Sequence, residues 1–169
     1  NYDGFVYALN SDGEILEGFP FETGDQIWGA PAVADLNDDG ELELIITSKD
    51  EHLYILDGYG ELITDYDASY WLTGTPAIGN LDDDEDLEIV FGSYSSSGRI
   101  HAINWDGTDL PGFPIEIDER IFTGVALSDF NGDDKDDIVF GTESDNLWLI
   151  YSNGETAENY PVLFDNKFK

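Results

Sequence analysis

Short apolar stretches alternate with polar turns along the whole chain, and none shows the 3.6-residue spacing of an amphipathic helix. One stretch returns at a fixed interval. Residues 5–9, 52–56, 99–103 and 146–150 align position by position, and Val6, Leu53, Ile100 and Leu147 are each 47 residues from the next. A constant period over four copies marks a repeat architecture. After each copy comes a turn with glycine at its third place (Gly13, Gly60, Gly107, Gly154), the residue that supplies the positive φ of a tight hairpin. An aromatic residue follows, and in three copies it precedes proline: Phe19-Pro20, Phe113-Pro114 and Tyr160-Pro161, with Tyr66 the variant that lacks it. Proline has no N–H for a ladder, so this strand is expected at a sheet edge.

The other half of the unit opens with small residues at 29–32, 74–77 and 123–126, suited to a strand whose backbone lies close to its neighbours. An acidic stretch follows, and then an apolar run at 42–47, 87–92 and 137–141, the pattern of a strand buried on both faces. Four antiparallel strands in each 47-residue period make one blade of a β-propeller. The predicted fold is therefore all-β, an incomplete ring with the last two strands of a blade in residues 1–28 and whole blades in 29–72, 73–120 and 121–169. A two-residue insertion within 93–98 predicts a longer loop in the second whole blade. Closure takes about four to eight blades, so the chain is expected to be part of a larger ring or to be completed by neighbouring copies.

The acidic stretches carry the candidate chemistry. In residues 35–43, Asp35, Asn37 and Asp39 hold positions 1, 3 and 5, the Glu41 carbonyl falls at position 7, Glu43 at position 9, and Gly40 permits the sharp turn. Residues 129–137 repeat the pattern with Asp129, Asn131, Asp133, the carbonyl of Lys135, and Asp137, with Asp134 at the turn. Residues 80–88 offer Asn80, Asp82, Asp84, the Asp86 carbonyl and Glu88, with Glu85 at the turn. Alternate oxygen side chains on a tight loop converge on a hard cation, and calcium takes six to eight oxygens at flexible angles. Up to three Ca²⁺ are expected. The middle site is expected to be the weakest, because its first ligand is neutral and Glu tolerates positive φ poorly. An EF-hand is excluded, since its twelfth position would fall on Ile46, Phe91 and Phe140 and the flanks are β-like.

The run Gly-Ala-Pro-Ala-Val-Ala-Asp-Leu-Asn-Asp-Asp-Gly-Glu-Leu-Glu-Leu-Ile beginning at Gly29, with the Phe-Gly pairs at Phe91-Gly92 and Phe140-Gly141, resembles the FG-GAP and VCBS repeats of integrin-α-type β-propellers. The resemblance covers nearly the whole chain. It implies calcium in the loop between the first two strands of each blade, on one face of the ring, and an extracellular or cell-surface setting. It also implies roles in adhesion, ligand binding or as an accessory part of a secreted enzyme.

Composition narrows the partners. The chain has 169 residues with 38 acids against 6 bases, a formal charge of -32, which repels nucleic acid and anionic lipid surfaces. The acids outside the loops fit a solvated surface suited to high or divalent salt. No apolar run approaches a membrane span, so no membrane insertion is expected. There is no cysteine, so thiolate metal sites and disulfides are excluded, and no methionine, as in a processed product or a segment of something longer. Of the two histidines, His101 aligns with Tyr7, Tyr54 and Trp148 and is expected in a packed aromatic position, while His52 occupies a variable, exposed one. No nucleophile or histidine–carboxylate cluster stands out, so the expectation is a non-catalytic, calcium-binding module recognising an unidentified protein or glycan. Two alternatives stay open: an accessory part of a carbohydrate-active enzyme, with Trp28, Trp71 or Trp105 stacking on sugars, and a subunit that self-associates through its half blade.

Overall fold

The computed structural model describes residues 1–164; the last five residues of the segment assigned above to 121–169 lie outside them. Every regular element among the described residues is a β-strand. β1 (Phe5–Val6) and β2 (Phe21–Glu22) pair as a two-stranded sheet. Three four-stranded antiparallel meanders follow. The first holds β3 (Ala32–Ala34), β4 (Glu43–Thr47), β5 (His52–Leu56) and β6 (Leu62–Asp67). The second holds β7 (Ala77–Gly79), β8 (Glu88–Gly92), β9 (Arg99–Ile103) and β10 (Ile115–Glu116). The third holds β11 (Ala126–Ser128), β12 (Asp137–Gly141), β13 (Asn146–Ile150) and β14 (Val162–Leu163). These are propeller-like blades, and the sheets do not close into a ring.

Each core layer lies between two consecutive sheets. Ile89 and Phe91 of β8 pack with Ile45, Leu53 and Ile55 of the preceding blade, while Val90 between them packs with Ile138, Phe140 and Ile150 of the next. The two-residue strand period thus sends alternate side chains into opposite interfaces, which is why β8 reads as an unbroken apolar run. Likewise Ile45 faces forward, and Ile46 faces back onto Val6, Ile27 and Leu56. The segments leading into the innermost strands need small residues because the blades crowd there: a Cβ on Gly29 would stand 2.6 Å from the Gly74 carbonyl oxygen, and one on Gly74 2.4 Å from that of Thr123.

The Gly turns take positive φ, from 82° at Gly13 to 86° at Gly154, as their spacing predicts. The Phe19-Pro20, Phe113-Pro114 and Tyr160-Pro161 peptides are cis and lead into the outer strands β2, β10 and β14. The unit without proline forms the longest outer strand, β6.

One predicted strand is shorter than expected. The alternating segment at 5–9 forms β1 only over Phe5–Val6, with a single bridge from Leu9 to Ile15 beyond it. The reason is the missing neighbour. In the complete blades the equivalents of Leu9, namely Leu56, Ile103 and Ile150, pair with the second strand and are 0% exposed; Leu9 is 58% exposed. The other end is open as well. Phe130, in the last acidic loop, is 55% exposed, whereas its equivalents Leu36 and Leu81 are covered by the following blade.

Candidate metal centre

The three acidic loops join the first and second strands of their blades, so all lie at one end of the strands. Neighbouring loops are joined edge to edge: Leu87 N–H donates to the Leu36 carbonyl (2.8 Å), and Asp136 N–H to that of Asn80 (2.8 Å). All three share a local scaffold, in which the oxygens at positions 3 and 5 accept the N–H two residues on. Asn37 accepts from Asp39 and Asp39 from Glu41; Asp82 from Asp84 and Asp84 from Asp86; Asn131 from Asp133 and Asp133 from Lys135. The ninth-position acids also behave alike. Glu43, Glu88 and Asp137 are buried, and each accepts the N–H of position 2, from Leu36, Leu81 and Phe130. The second strand begins at this acid, so burial of the strand carries the carboxylate inside.

The first position divides the loops. Asp35 accepts N–H bonds from Asp39 (3.1 Å) and Gly40 (2.9 Å), and Asp129 accepts from Gly132 (2.6 Å), Asp133 and Asp134. The backbone folds onto the carboxylate by taking positive φ at Asp38 and Gly40, and at Gly132 and Asp134. In the middle loop Asn80 instead donates its Nδ2 to the Asp84 carbonyl (3.4 Å), and no residue from 80 to 88 has positive φ. The strain expected at Glu85 is therefore not incurred, because that loop follows a different path.

That path gathers charge. Oxygens of Asp82, Asp84 and Glu88 lie within 4.8 Å of one another, the separation that opposed ligands of one calcium reach at about 2.4 Å each. Among the described residues no other three acids gather so closely, and Asp35, Asp39 and Glu43 do not. Glu88 Oε1 is buried without a hydrogen-bond partner, whereas Asp137 uses its second oxygen on the Ser152 N–H (3.1 Å). Burial pushes the Glu88 carboxyl up to about 7; the Leu81 N–H opposes the rise, and Asp82, Asp84 and Asp86 add to it. Asp129 shifts the other way, held below the usual carboxylate value chiefly by the Gly132 N–H, against a smaller burial penalty, with Asp134 and Asp133 assisting.

The remaining predicted ligands have other contacts. Asp86 accepts the Trp105 indole N–H (3.0 Å), which leaves its carbonyl as the candidate ligand, and the Lys135 ammonium pairs with Asp83 of the middle loop (2.9 Å). Glu41 is exposed. The sequence pattern missed these cross-loop ties, since nothing in a single repeat reports which loop lies beside it.

Of the two histidines, only His101 sits as expected. His101 is 1% exposed and stacks on Phe91 at 4.9 Å, and burial, with Arg99 nearby, lowers it to about 4. His52 is half-buried and bonds to Asp65 through Nδ1, a histidine–carboxylate pair that the sequence did not disclose. Among the described residues no Ser or Thr hydroxyl bonds to its ring.

No family model matches the chain, and no curated protein matches it. Solved structures do. The C-terminal domain of Pseudomonas aeruginosa PilY1 is similar at 18% identity over 88% of this chain and 36% of that one, with a TM-score of 0.66. BBS1N, seen in complex with ARL6DN, is similar at 15% identity over 99% of this chain and 51% of that one, with a TM-score of 0.61. A protein of unknown function from Bacteroides caccae gives 15%, 99%, 57% and a TM-score of 0.55. At such identities the likeness is one of fold. The chain spans between 36% and 57% of the length of these three. Among the described residues no helix is long and apolar enough to cross a membrane.

Proposed function

We propose that the chain is a non-catalytic, calcium-binding propeller module of FG-GAP/VCBS type, belonging to a secreted or cell-surface protein and serving adhesion, ligand binding or scaffolding. The observation that carries this reading is the middle loop. Two unit charges 4.8 Å apart repel by about 3 kcal/mol at an effective dielectric near 20, less for the exposed Asp84. The Glu88 oxygen that faces no donor adds an unmet hydrogen-bonding demand. A hard divalent cation meets both at once. Asp82, Asp84 and Glu88 would hold it, with the Asn80 side-chain oxygen and the Asp86 carbonyl as neutral ligands, and calcium tolerates the uneven geometry of such a set. Its chemistry is charge neutralisation, and its effect is to fasten the first two strands of the blade to each other.

The non-catalytic part of the reading rests on the histidines: His101 is sealed in an aromatic stack, and the His52–Asp65 pair has no hydroxyl nucleophile bonded to it. A melting curve taken with calcium and again with excess chelator tests the metal. A cation at 100 times its Kd raises stability by about 2.7 kcal/mol, so chelation should lower Tm by several degrees; an unchanged Tm would sink the assignment.

A second reading, self-association through the half blade, is favoured by the exposure of Tyr7 and Leu9 on the strand that lacks its inner neighbour. Light scattering tests it: particles larger than one chain that shrink on Leu9→Lys support it, and a monomer at all concentrations rejects it.

A further inference from the structure

The opposite end of the strands carries a different surface. There the turns between second and third strands and the linkers between blades bring together Trp28, Trp71, Tyr94 and Phe122. Trp28 meets Phe122 edge-on at 6.2 Å, and Phe122 meets Tyr94 in the same way at 5.7 Å. The Lys49 ammonium lies 4.6 Å from the Trp28 ring centre and 4.4 Å from that of Trp71, joining the two indoles. The Arg120 guanidinium lies 5.7 Å from the Tyr94 ring. In a chain with 38 acids and 6 bases, neither Lys49 nor Arg120 forms an ion pair among the described residues. Trp28 and Trp71 remain 44% and 45% exposed, although large apolar rings normally pay to stay wet.

Beside Trp71 lies a groove of about 330 Å³, lined by Tyr70, Trp71, Tyr94, Ser96, Glu51 and Arg120. Its walls combine flat aromatic faces with a carboxylate that only accepts hydrogen bonds, a guanidinium that only donates, and a hydroxyl that does both. A hydroxyl-rich ring satisfies all three. An anionic polymer does not: it faces Glu51 in the groove and a chain charge of -32 beyond it. We propose that this face binds a neutral glycan, with sugar rings on Trp71 and Trp28 and hydroxyls on Arg120 and Glu51. The site stands a strand length from the cation loops, about 17 Å for five residues, roughly twice the screening length of about 8 Å at physiological salt. It is therefore independent of the calcium reading, although both describe one module.

The test is tryptophan fluorescence and calorimetric titration of the chain, in saturating calcium, with neutral hexasaccharides of β-glucan, α-glucan, mannan and galactan, and with hexagalacturonate as the acidic counterpart. Saturable binding of a neutral probe is expected, weakened about tenfold or more by Trp71→Ala, several-fold by Arg120→Gln, and unaffected by Tyr59→Ser at the opposite end. Calcium-dependent melting of each variant shows that it folds and keeps the metal question separate. Absence of binding across the neutral panel, equal binding by Trp71→Ala, or a preference for hexagalacturonate overturns the proposal. So does a sugar-free oligomer that Trp71→Ala dissociates, since the face would then join copies of the chain.

Discussion

The middle acidic loop and the two that flank it were built from one pattern and solve its electrostatics in opposite ways. The flanking loops wrap their own backbone N–H groups around the first-position carboxylate, Asp35 or Asp129. Internal hydrogen bonds order them. The middle loop has Asn80 at that place, has no such wrap, and leaves Asp82, Asp84 and Glu88 facing one another with a Glu88 oxygen unpaired. Agreement with a sequence pattern and uncompensated charge are thus different properties. The loop that departs furthest from the pattern has the strongest electrostatic demand.

Glu88→Gln should have the largest effect. The amide oxygen can still accept from Leu81, but the charge is gone. Calcium affinity at the middle loop should fall about 100-fold, near 3 kcal/mol, while the calcium-free protein should become more stable because no carboxylate is buried. Asp35→Asn should lower calcium affinity less and should destabilise the calcium-free protein, the opposite sign. Calorimetric calcium titration and chelator melts of both variants check the pair; two variants moving the calcium-free Tm in the same direction would dissolve the distinction.

pH sharpens it next. The Glu88 carboxyl is raised from 4.5 to about 7 in the folded protein, so the fold holds more protons than the unfolded chain between those values. Its contribution is fully present below about 4.5 and is lost as pH climbs to about 7, a fall of about 3 kcal/mol in chelator. Asp129 is lowered, so its contribution is present above the ordinary carboxylate value and lost as pH falls below it. His101, lowered from 6.5 to about 4, also favours high pH, and its contribution of about 3 kcal/mol disappears as pH falls from 6.5 through 4. The difference between wild type and Glu88→Gln isolates the first slope. It should vanish in saturating calcium, because a ligating carboxylate is already ionised.

Much of this was legible beforehand, and the limits have physical causes. The 47-residue period, the Gly turns and the doubly buried second strands follow from local stereochemistry, so blades could be read directly. The burial of the ninth-position acids could be read too, since position 9 must enter the core with the strand that it begins. What could not be read is how each loop balances its charge. That depends on whether the backbone turns onto position 1 and on neighbours from outside the loop, such as Asp136 of the next blade accepting the Asn80 N–H (3.2 Å) and Trp105 of the same blade donating to Asp86. Exchanging first positions probes this directly. Asn80→Asp should draw the N–H groups of Asp84 and Glu85 inward, at a cost of about 1 kcal/mol for positive φ at Glu85. Calcium affinity should rise by less than about tenfold, and the calcium-free Tm should drop.

The mildest change falls on the tie between the two kinds of loop. Lys135 belongs to a flanking loop, yet its ammonium pairs with Asp83 of the middle one, and Asp83 is 93% exposed. An exposed pair of this sort gains little net free energy and is screened by salt. Lys135→Gln should therefore leave Tm unchanged at physiological ionic strength. Its one visible effect should be on calcium at the middle loop, where removing a nearby positive charge strengthens binding slightly at low salt and not at high salt. If Lys135→Gln weakened calcium binding instead, the bridge would be positioning the middle loop, and the two kinds of loop would have to be treated as one coupled unit.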